Sequence, residues 1–411
     1  MAYYQNETNN ILQMIDDTPF LESIVCTDDM RDLIKINFQK PFKKTPNGDL
    51  EGEQQECPKG DKMKHQIQEK EDATERENQK EIIETLINQT YEMCKNFMFP
   101  LLSLISKSYQ IYDYKEIFTN EKTGELIFAL LENKMYNGKK IEIKYKSIII
   151  SIMNQIIDNN IEIVNNIREI YNTAPSHKLR ELIEKHFIPT NEEKKKNAEV
   201  STPVKLVEEM LDTIPGEFWK TPHTVFEPCC GKGNFILGIF DRFFQGLQEL
   251  YPDIGERCEK IMKECIHYAD ISYLNVFITT EILKCHIESN GGSHTGYFKS
   301  YVGDTLQIDI NEKWGIKGFD AVVGNPPYNS SGNTATGNTI WQNFTKKSIQ
   351  EWLIQGGYLL FVHPPGWRKP NTERGKFYGL FDLMTKENQM LYLEIHDSKG
   401  WNENISLWDT L

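Results

Sequence analysis

The chain has no apolar run long enough to cross a bilayer, and its polar N-terminus is not a secretion signal. A soluble intracellular protein is therefore expected, cytoplasmic, or in the host cell if the chain is viral. Heavy use of Asn, Ile and Lys suits an AT-rich bacterial or viral genome. Its eight cysteines include no Cys-x-x-Cys pair, so neither a zinc site nor a secreted disulfide scaffold is expected, and the thiols read as reduced. Positive charge is scarce: 46 Lys and Arg against 60 Asp and Glu leave a net charge of -14. That balance excludes adhesion to nucleic acid through the whole surface and leaves only a local basic face or a partner polypeptide. Also missing are the Gly-x-Gly-x-x-Gly dinucleotide fingerprint and a Walker loop. Nor does the N-terminal half show a convincing Pro-Asp…Asp/Glu-x-Lys nuclease arrangement.

What is present divides into regions. With 39% hydrophobic residues in 411, the chain can build a core and has room for two domains. Its mean hydropathy of -0.53 points to much exposed chain. Residues 1–38 read as a short helical segment, and 39–80, poor in aromatics, as a disordered linker. Helical patterning runs from Glu81 to His186 and defines a helical domain over 81–190. In it Ile149, Ile152, Ile156, Ile163, Ile167 and Ile170 recur at helical spacing, interrupted by Asn160. The stripe reads as a bundle core or a helix-pairing face. The charged run Glu192–Lys196 reads as a hinge, and 197–411 as the second domain.

From Ser201 onward, strand and helix signals alternate. Strands are expected at Thr224–Phe226, Ile266–Ala269, Tyr301–Val302, Phe319–Val323, Tyr358–Val362 and Met390–Ile395. Helices are expected at Val204–Asp212, Asn234–Leu250, Ser272–His286 and Thr339–Leu353. Alternation of this kind implies right-handed crossovers and an α/β fold with a doubly wound, mainly parallel sheet.

Three stretches carry chemistry. Asn325-Pro326-Pro327-Tyr328 follows the apolar run Phe319–Gly324, at the carboxyl end of an expected strand, where open α/β sheets bind ligands. The two prolines remove two amide donors, so the turn offers mainly acceptors, and Tyr328 adds a flat face. That combination suits holding an NH2 group; the plainer alternative is a strand ended by a turn. Glu227-Pro228-Cys-Cys-Gly231-Lys-Gly233-Asn-Phe reads as a strand end, a Gly turn and a helix start. Glycine allows close backbone approach, and the acidic Glu227 favours a cationic group such as an α-ammonium over a pyrophosphate. Asp270 and Asp304 end the next two expected strands. They could take ribose hydroxyls and an adenine amino group, or could simply cap helices. Thr202 is expected to cap a helix that has Pro203 in its first turn.

In this order, Ser-Thr-Pro203, Glu-Pro-Cys-Cys-Gly-Lys-Gly-Asn-Phe235, Asp270, Asp304 and Asn-Pro-Pro-Tyr328 resemble the amino-group DNA methyltransferases. The likeness is strongest to N6-adenine enzymes whose cofactor motifs precede the catalytic motif, as in type II and type I restriction systems. It covers roughly Asn197 to Ile395. The resemblance implies an S-adenosylmethionine-dependent domain that methylates adenine N6 in DNA, with the target base flipped out of the helix. It implies that Thr202, Glu227, Pro228, Gly231 and Gly233 lie against the methionine half of S-adenosylmethionine, Asp270 and Ile271 against the ribose side, and Asp304 against the adenine. Asn325, Pro326, Pro327 and Tyr328 would grip the target amino group, beside a strand and loop at Gly356–Trp367. Relatives continue past this point into a hairpin and a target-recognition region, so the domain reads as C-terminally truncated. Either a partner subunit supplies specificity, or the N-terminal region does, or the chain is a truncated fragment; self-association through the helical N-terminal region is the other partner expectation. Lys346, Lys347, Arg368, Lys369, Arg374 and Lys376 form the clustered basic candidates for a DNA face. The same tetrapeptide also occurs in methyltransferases acting on RNA or on protein glutamine amides. An inactive binding or regulatory subunit is the non-enzymatic alternative.

Overall fold

The computed structural model describes residues 81–94, 96–135, 141–187, 201–294, 296–329, 339–368 and 375–395. The helix expected in 1–38, the linker at 39–80, the hinge at 192–196, Lys369, Arg374 and the chain after Ile395 lie outside the described residues. The chain forms two compact units, Met1–Thr173 and Ala174–Leu411.

The first unit is helical. After a helix over residues 81–94 come α1 (Met98–Tyr109), α2 (Tyr114–Thr119), α3 (Glu121–Met135), α4 (Ile143–Asn159) and α5 (Ile161–Thr173). The isoleucine stripe is largely core: Ile149, Ile152 and Ile156 are fully buried, and Ile167 and Ile170 nearly so. Asn160 breaks it for a physical reason. The residue is buried and its amide donates to the Ile156 carbonyl at 2.9 Å, closing one helix before the next begins.

The second unit contains α6 (Ser176–His186), α7 (Val204–Leu211), β1 (Val225–Glu227), α8 (Asn234–Gly246), α9 (Ile254–Lys260) and β2 (Ile266–Asp270). It continues with α10 (Tyr273–Ser289), β3 (Lys299–Val302), α11 (Ile310–Trp314), β4 (Phe319–Gly324), α12 (Trp341–Lys347), β5 (Leu353–Phe361) and α13 (Leu380–Thr385). All strand pairings are parallel, in the order β3-β2-β1-β4-β5. The doubly wound sheet expected from the alternating pattern is therefore present. The path runs outward from β1 to β3, then returns to β4 and β5. With right-handed crossovers the two halves place their helices on opposite faces. Phe226, Phe319, Val322, Phe344 and Trp352 form a core cluster with Ile308 and Ile310. Helix α8 packs on α7 and on α10, and α8 and α10 lie against the β1–β2–β3 half.

Three sequence expectations change. Met390–Ile395 is not a strand: it is irregular, with Leu391 67% and Ile395 65% exposed. Its pattern suits a sheet, but strand propensity acts only where a neighbouring edge supplies backbone partners. The helix expected over Thr339–Leu353 is only α12, followed by a wide turn at Ser348–Trp352 that leads into a longer β5. Most consequentially, α6 belongs to the sheet-bearing unit, although the sequence places it in the helical domain ending at 190. A charged run reports solvation; it does not report which core the preceding helix joins. Here Leu179, Leu182 and Ile183 are buried and α6 packs on α10. No helix among the described residues is long and apolar enough to cross a membrane.

Candidate active site

The strand order reverses between β1 and β4, and ligand crevices in open parallel sheets form at the carboxyl ends beside such a reversal. Glu227 ends β1 and Asn325 follows the last residue of β4. Gly324 sits close to both: a Cβ there would lie 3.5 Å from Glu227 Cγ and 3.7 Å from Pro228 Cδ. The structure thus brings together two motifs nearly a hundred positions apart.

Glu227 is 2% exposed, and its Oε2 has no hydrogen-bond partner among the described residues. Burial, with the neighbouring Asp270 charge added, holds its carboxyl well above the usual range. A buried carboxyl in this state can ionise against a cation brought beside it. The loop beyond it is built for close approach. Gly231 has φ 52° and a Cβ on it would meet nothing within 4 Å, so its exposed flank is open. Gly233 has φ 87°, and a Cβ there would press to 3.0 Å on Thr279 Cγ2. Lys232 turns away and donates to the Phe187 carbonyl, so the loop does not present its amine as a phosphate loop would. The Cys229 and Cys230 thiols are pushed up in pKa by burial and by nearby carboxylates, which leaves them poor nucleophiles.

Asp270, 8% exposed, organises the loop. Its Oδ2 accepts from the Gly231 amide at 3.0 Å, and its Oδ1 accepts from Ser272 N at 2.8 Å and Asn275 Nδ2 at 3.3 Å. Ile271 beside it is 62% exposed. Asp304 is exposed and caps a short 3-10 turn, accepting from Leu306 N at 3.1 Å. The Pro228 carbonyl accepts from Thr305 Oγ1 at 2.9 Å, which ties the third loop to the first.

Thr202 departs from its expected role. Helix α7 starts at Val204 with Pro203 in the cap position and no side-chain cap. Thr202 stands one residue too early to cap it, and its hydroxyl instead accepts from Asn325 Nδ2 at 3.2 Å. With the amide nitrogen so engaged, Asn325 Oδ1 is left as an acceptor. Pro326 is buried, Pro327 and Tyr328 are half-buried, and the turn is closed by the Ile340 amide donating to the Tyr328 carbonyl at 3.1 Å. Tyr328 packs on Trp341, Trp367, Leu380 and Leu383, and burial pushes its pKa to about 12, so it stays a neutral phenol. Beside it, His363 stacks on Trp341 at 5.0 Å. It follows Val362, whose amide donates to the Gly324 carbonyl. Of the basic candidates described, Lys346 donates to the Tyr378 carbonyl at 2.8 Å and Lys347 pairs with Glu351 at 3.0 Å, while Arg368 and Lys376 are exposed.

The sequence reading passes over Asn234, Thr279 and Thr305. Asn234 is 6% exposed at the start of α8, and its amide bonds to Thr202 and to two side chains of α6. Only its place after the glycines marks it in the sequence; its partners are distant and depend on tertiary structure.

Residues 264–394 match the Eco57I restriction-modification methylase family. That match bears out the resemblance drawn from the motifs and spans β2 through β5, including Asn325–Tyr328. An uncharacterized adenine-specific methylase from Mycoplasma pneumoniae is 24% identical, with 49% of this chain and 63% of that protein covered. The chain thus spans less than two thirds of the length of the relative it matches. Among solved structures, the EcoKI M protein aligns with TM-score 0.27 and 13% identity over 65% of this chain and 55% of its own. The type ISP restriction-modification enzyme LlaBIII bound to DNA aligns with TM-score 0.36 and 15% identity over 65% of this chain and 21% of its own. The sheet order and the family match, rather than those slight overall likenesses, carry the argument.

Proposed function

We propose that this chain transfers a methyl group from S-adenosylmethionine to adenine N6 in DNA, as the modification component of a restriction-modification-like system. One observation carries the reading. An asparagine amide, pinned by Thr202 after β4, and a buried carboxyl at the end of β1, unpartnered among the described residues, flank the reversal point of a parallel sheet. The donor set fits the cofactor. Glu227 would take its α-ammonium, Gly231 and Gly233 would admit its methionine half, Asp270 and Ile271 would flank the ribose, and Asp304 would lie towards the adenine. When bound, S-adenosylmethionine supplies an electrophilic methyl group.

The protein's own part is positioning. The adenine N6 lone pair is delocalised into the ring and nucleophilically weak. Asn325 Oδ1 and the Pro326 carbonyl would accept the two N–H bonds, turning the amino group towards tetrahedral geometry and localising that pair. Tyr328, a neutral phenol fixed on an aromatic cluster, would stack on a base drawn out of the duplex. Pro327 holds the turn rigid. The rate then comes from orientation and preorganised dipoles. DNA contact by a chain of net charge -14 falls to a local face such as that near Arg368 and Lys376, or to a partner subunit.

The deciding experiment is tritiated-methyl transfer from S-adenosylmethionine to unmethylated genomic DNA, followed by nucleoside analysis. Label in N6-methyladenine is expected. Label confined to RNA or to a peptide glutamine, or cofactor binding with no transfer even when a specificity partner is supplied, overturns the reading.

A further inference from the structure

We infer that Arg180 and Glu184, on the helix preceding the methyltransferase motifs, are positioning residues for the amino-group site, acting through Asn234 and Thr202 on Asn325. The inference rests on the functional reading above for its kinetic consequence, but the linkage itself is a property of the fold.

Helix α6 is firmly seated on the sheet-bearing unit. Its apolar face is buried through Leu179, Leu182 and Ile183. At its start, Ser176 Oγ lies 3.1 Å from His286 Nδ1, and His286 Nε2 lies 2.6 Å from Asp241 Oδ1. At its end, the Phe187 carbonyl accepts from Lys232 of the Gly loop. Between these anchors the helix grips Asn234 at both ends of its amide. Arg180 Nε donates to Asn234 Oδ1 at 3.0 Å. Asn234 Nδ2 donates to Glu184 Oε1 at 3.0 Å and to the Thr202 carbonyl at 2.8 Å, with Ser201 Oγ further off at 3.4 Å.

The chemistry of these partners leaves the amide one orientation. A guanidinium can only donate, whereas a carboxylate and a main-chain carbonyl can only accept. Asn234 is 6% exposed, so a flipped or half-satisfied amide would leave buried polar atoms unpaired. Removing Arg180 leaves the buried Asn234 Oδ1 without its donor, so the amide is held from one end only. The hold on the Thr202 carbonyl then loosens, and with it the hydroxyl 3.2 Å from Asn325 Nδ2. A loss of a few tenths of an ångström at that hydroxyl is felt at the acceptor that would meet the target amine. The α6 pair thus lies three hydrogen bonds from the Asn-Pro-Pro-Tyr turn, on a helix the sequence assigns to another domain.

The test uses the full chain with Arg180→Met, which keeps the stem and removes the donor, and Arg180→Lys, which restores one. The first readout needs no cofactor: hydrogen exchange of peptides covering 201–207 and 230–237, with the β2 peptide as reference. Arg180→Met is expected to speed exchange in both peptides by about fivefold or more while β2 is unchanged, and Arg180→Lys to recover part of it. The second readout is kinetic: kcat falls about tenfold at saturating cofactor while the cofactor KM moves less than about threefold. Unchanged exchange in both peptides, or acceleration spread equally over β2, overturns the inference, as does an unchanged kcat. If the unsubstituted protein methylates nothing even with a specificity partner supplied, the functional reading fails, and the exchange data still decide whether α6 positions Thr202. Should Arg180→Met fold poorly, Glu184→Leu at an exposed helix position replaces it, with the same two outcomes.

Discussion

Glu227 shows what a single residue can report. Its carboxyl is buried without a hydrogen-bond partner among the described residues and keeps its proton to a higher pH than an ordinary glutamate. A folded pKa above the unfolded one stabilises the ligand-free protein at low pH, and that contribution is lost as pH rises through the folded value. An arriving ammonium would ionise the group, so cofactor binding should release a proton and tighten with rising pH in that range. Calorimetry in two buffers of different ionisation enthalpy checks this. Identical enthalpies in both would rule out the assignment, and Glu227→Gln should abolish the release and weaken binding. Asn325 is the complementary case. Asn325→Ala should leave cofactor affinity nearly unchanged and cut methyl transfer by about a hundredfold or more, since the lost acceptor works only on the target amine.

At the scale of elements, the site depends on how closely α8 lies on its neighbours. Gly246, its last residue, faces the short turn at Gly216–Lys220, and a Cβ there would stand 2.2 Å from the Trp219 carbonyl oxygen. Backbone cannot yield as a flexible side chain can. Gly246→Ala should therefore cost roughly 2–3 kcal/mol in denaturant unfolding without touching the site residues. No change in the unfolding midpoint would show that the packing is looser than the geometry implies. The elements also separate what was legible from what was not. The β1–glycine–α8 unit and the β4–Asn-Pro-Pro-Tyr unit were legible because a strand, its turn and the next helix are contiguous. Met390–Ile395 has the composition of a strand, but among the described residues no edge pairs with it. Thr202 looked like a cap because Pro203 followed it, yet its hydroxyl belongs to Asn325.

On the scale of the whole molecule, acid should unfold the protein earlier than a typical carboxylate-stabilised fold. His267 is fully buried on β2 among Trp314 and Phe319, and burial lowers its pKa to about 3; His186 is lowered to about 4 in the same way. A histidine with a depressed folded pKa does not oppose folding above its unfolded value near 6.5. Below that value stability falls, by about 1.4 kcal/mol per pH unit for each group, until the folded pKa is reached. Unfolding free energies measured from pH 7 to pH 4 should decline on this slope. His267→Leu should flatten it, and an unaltered slope would assign the acid limb to other groups.

The sequence by itself determined the class of sheet and the two turns, one rich in glycine and one in proline, that follow β1 and β4. Those features are local: a strand, a φ that only glycine tolerates, two prolines that strip donors from a turn. Tertiary structure alone decided that Glu227 is buried without a partner, that Asp270 braces the Gly loop, and that Thr202 serves Asn325. It also placed α6 beside the site, against the division its charged C-terminal neighbours suggested. Each of these depends on atoms that only the fold brings together, and a hydrogen-bond partner 39 residues away, as for Asp270 and Gly231, or 123 away, as for Thr202 and Asn325, leaves no periodicity in the chain to be read.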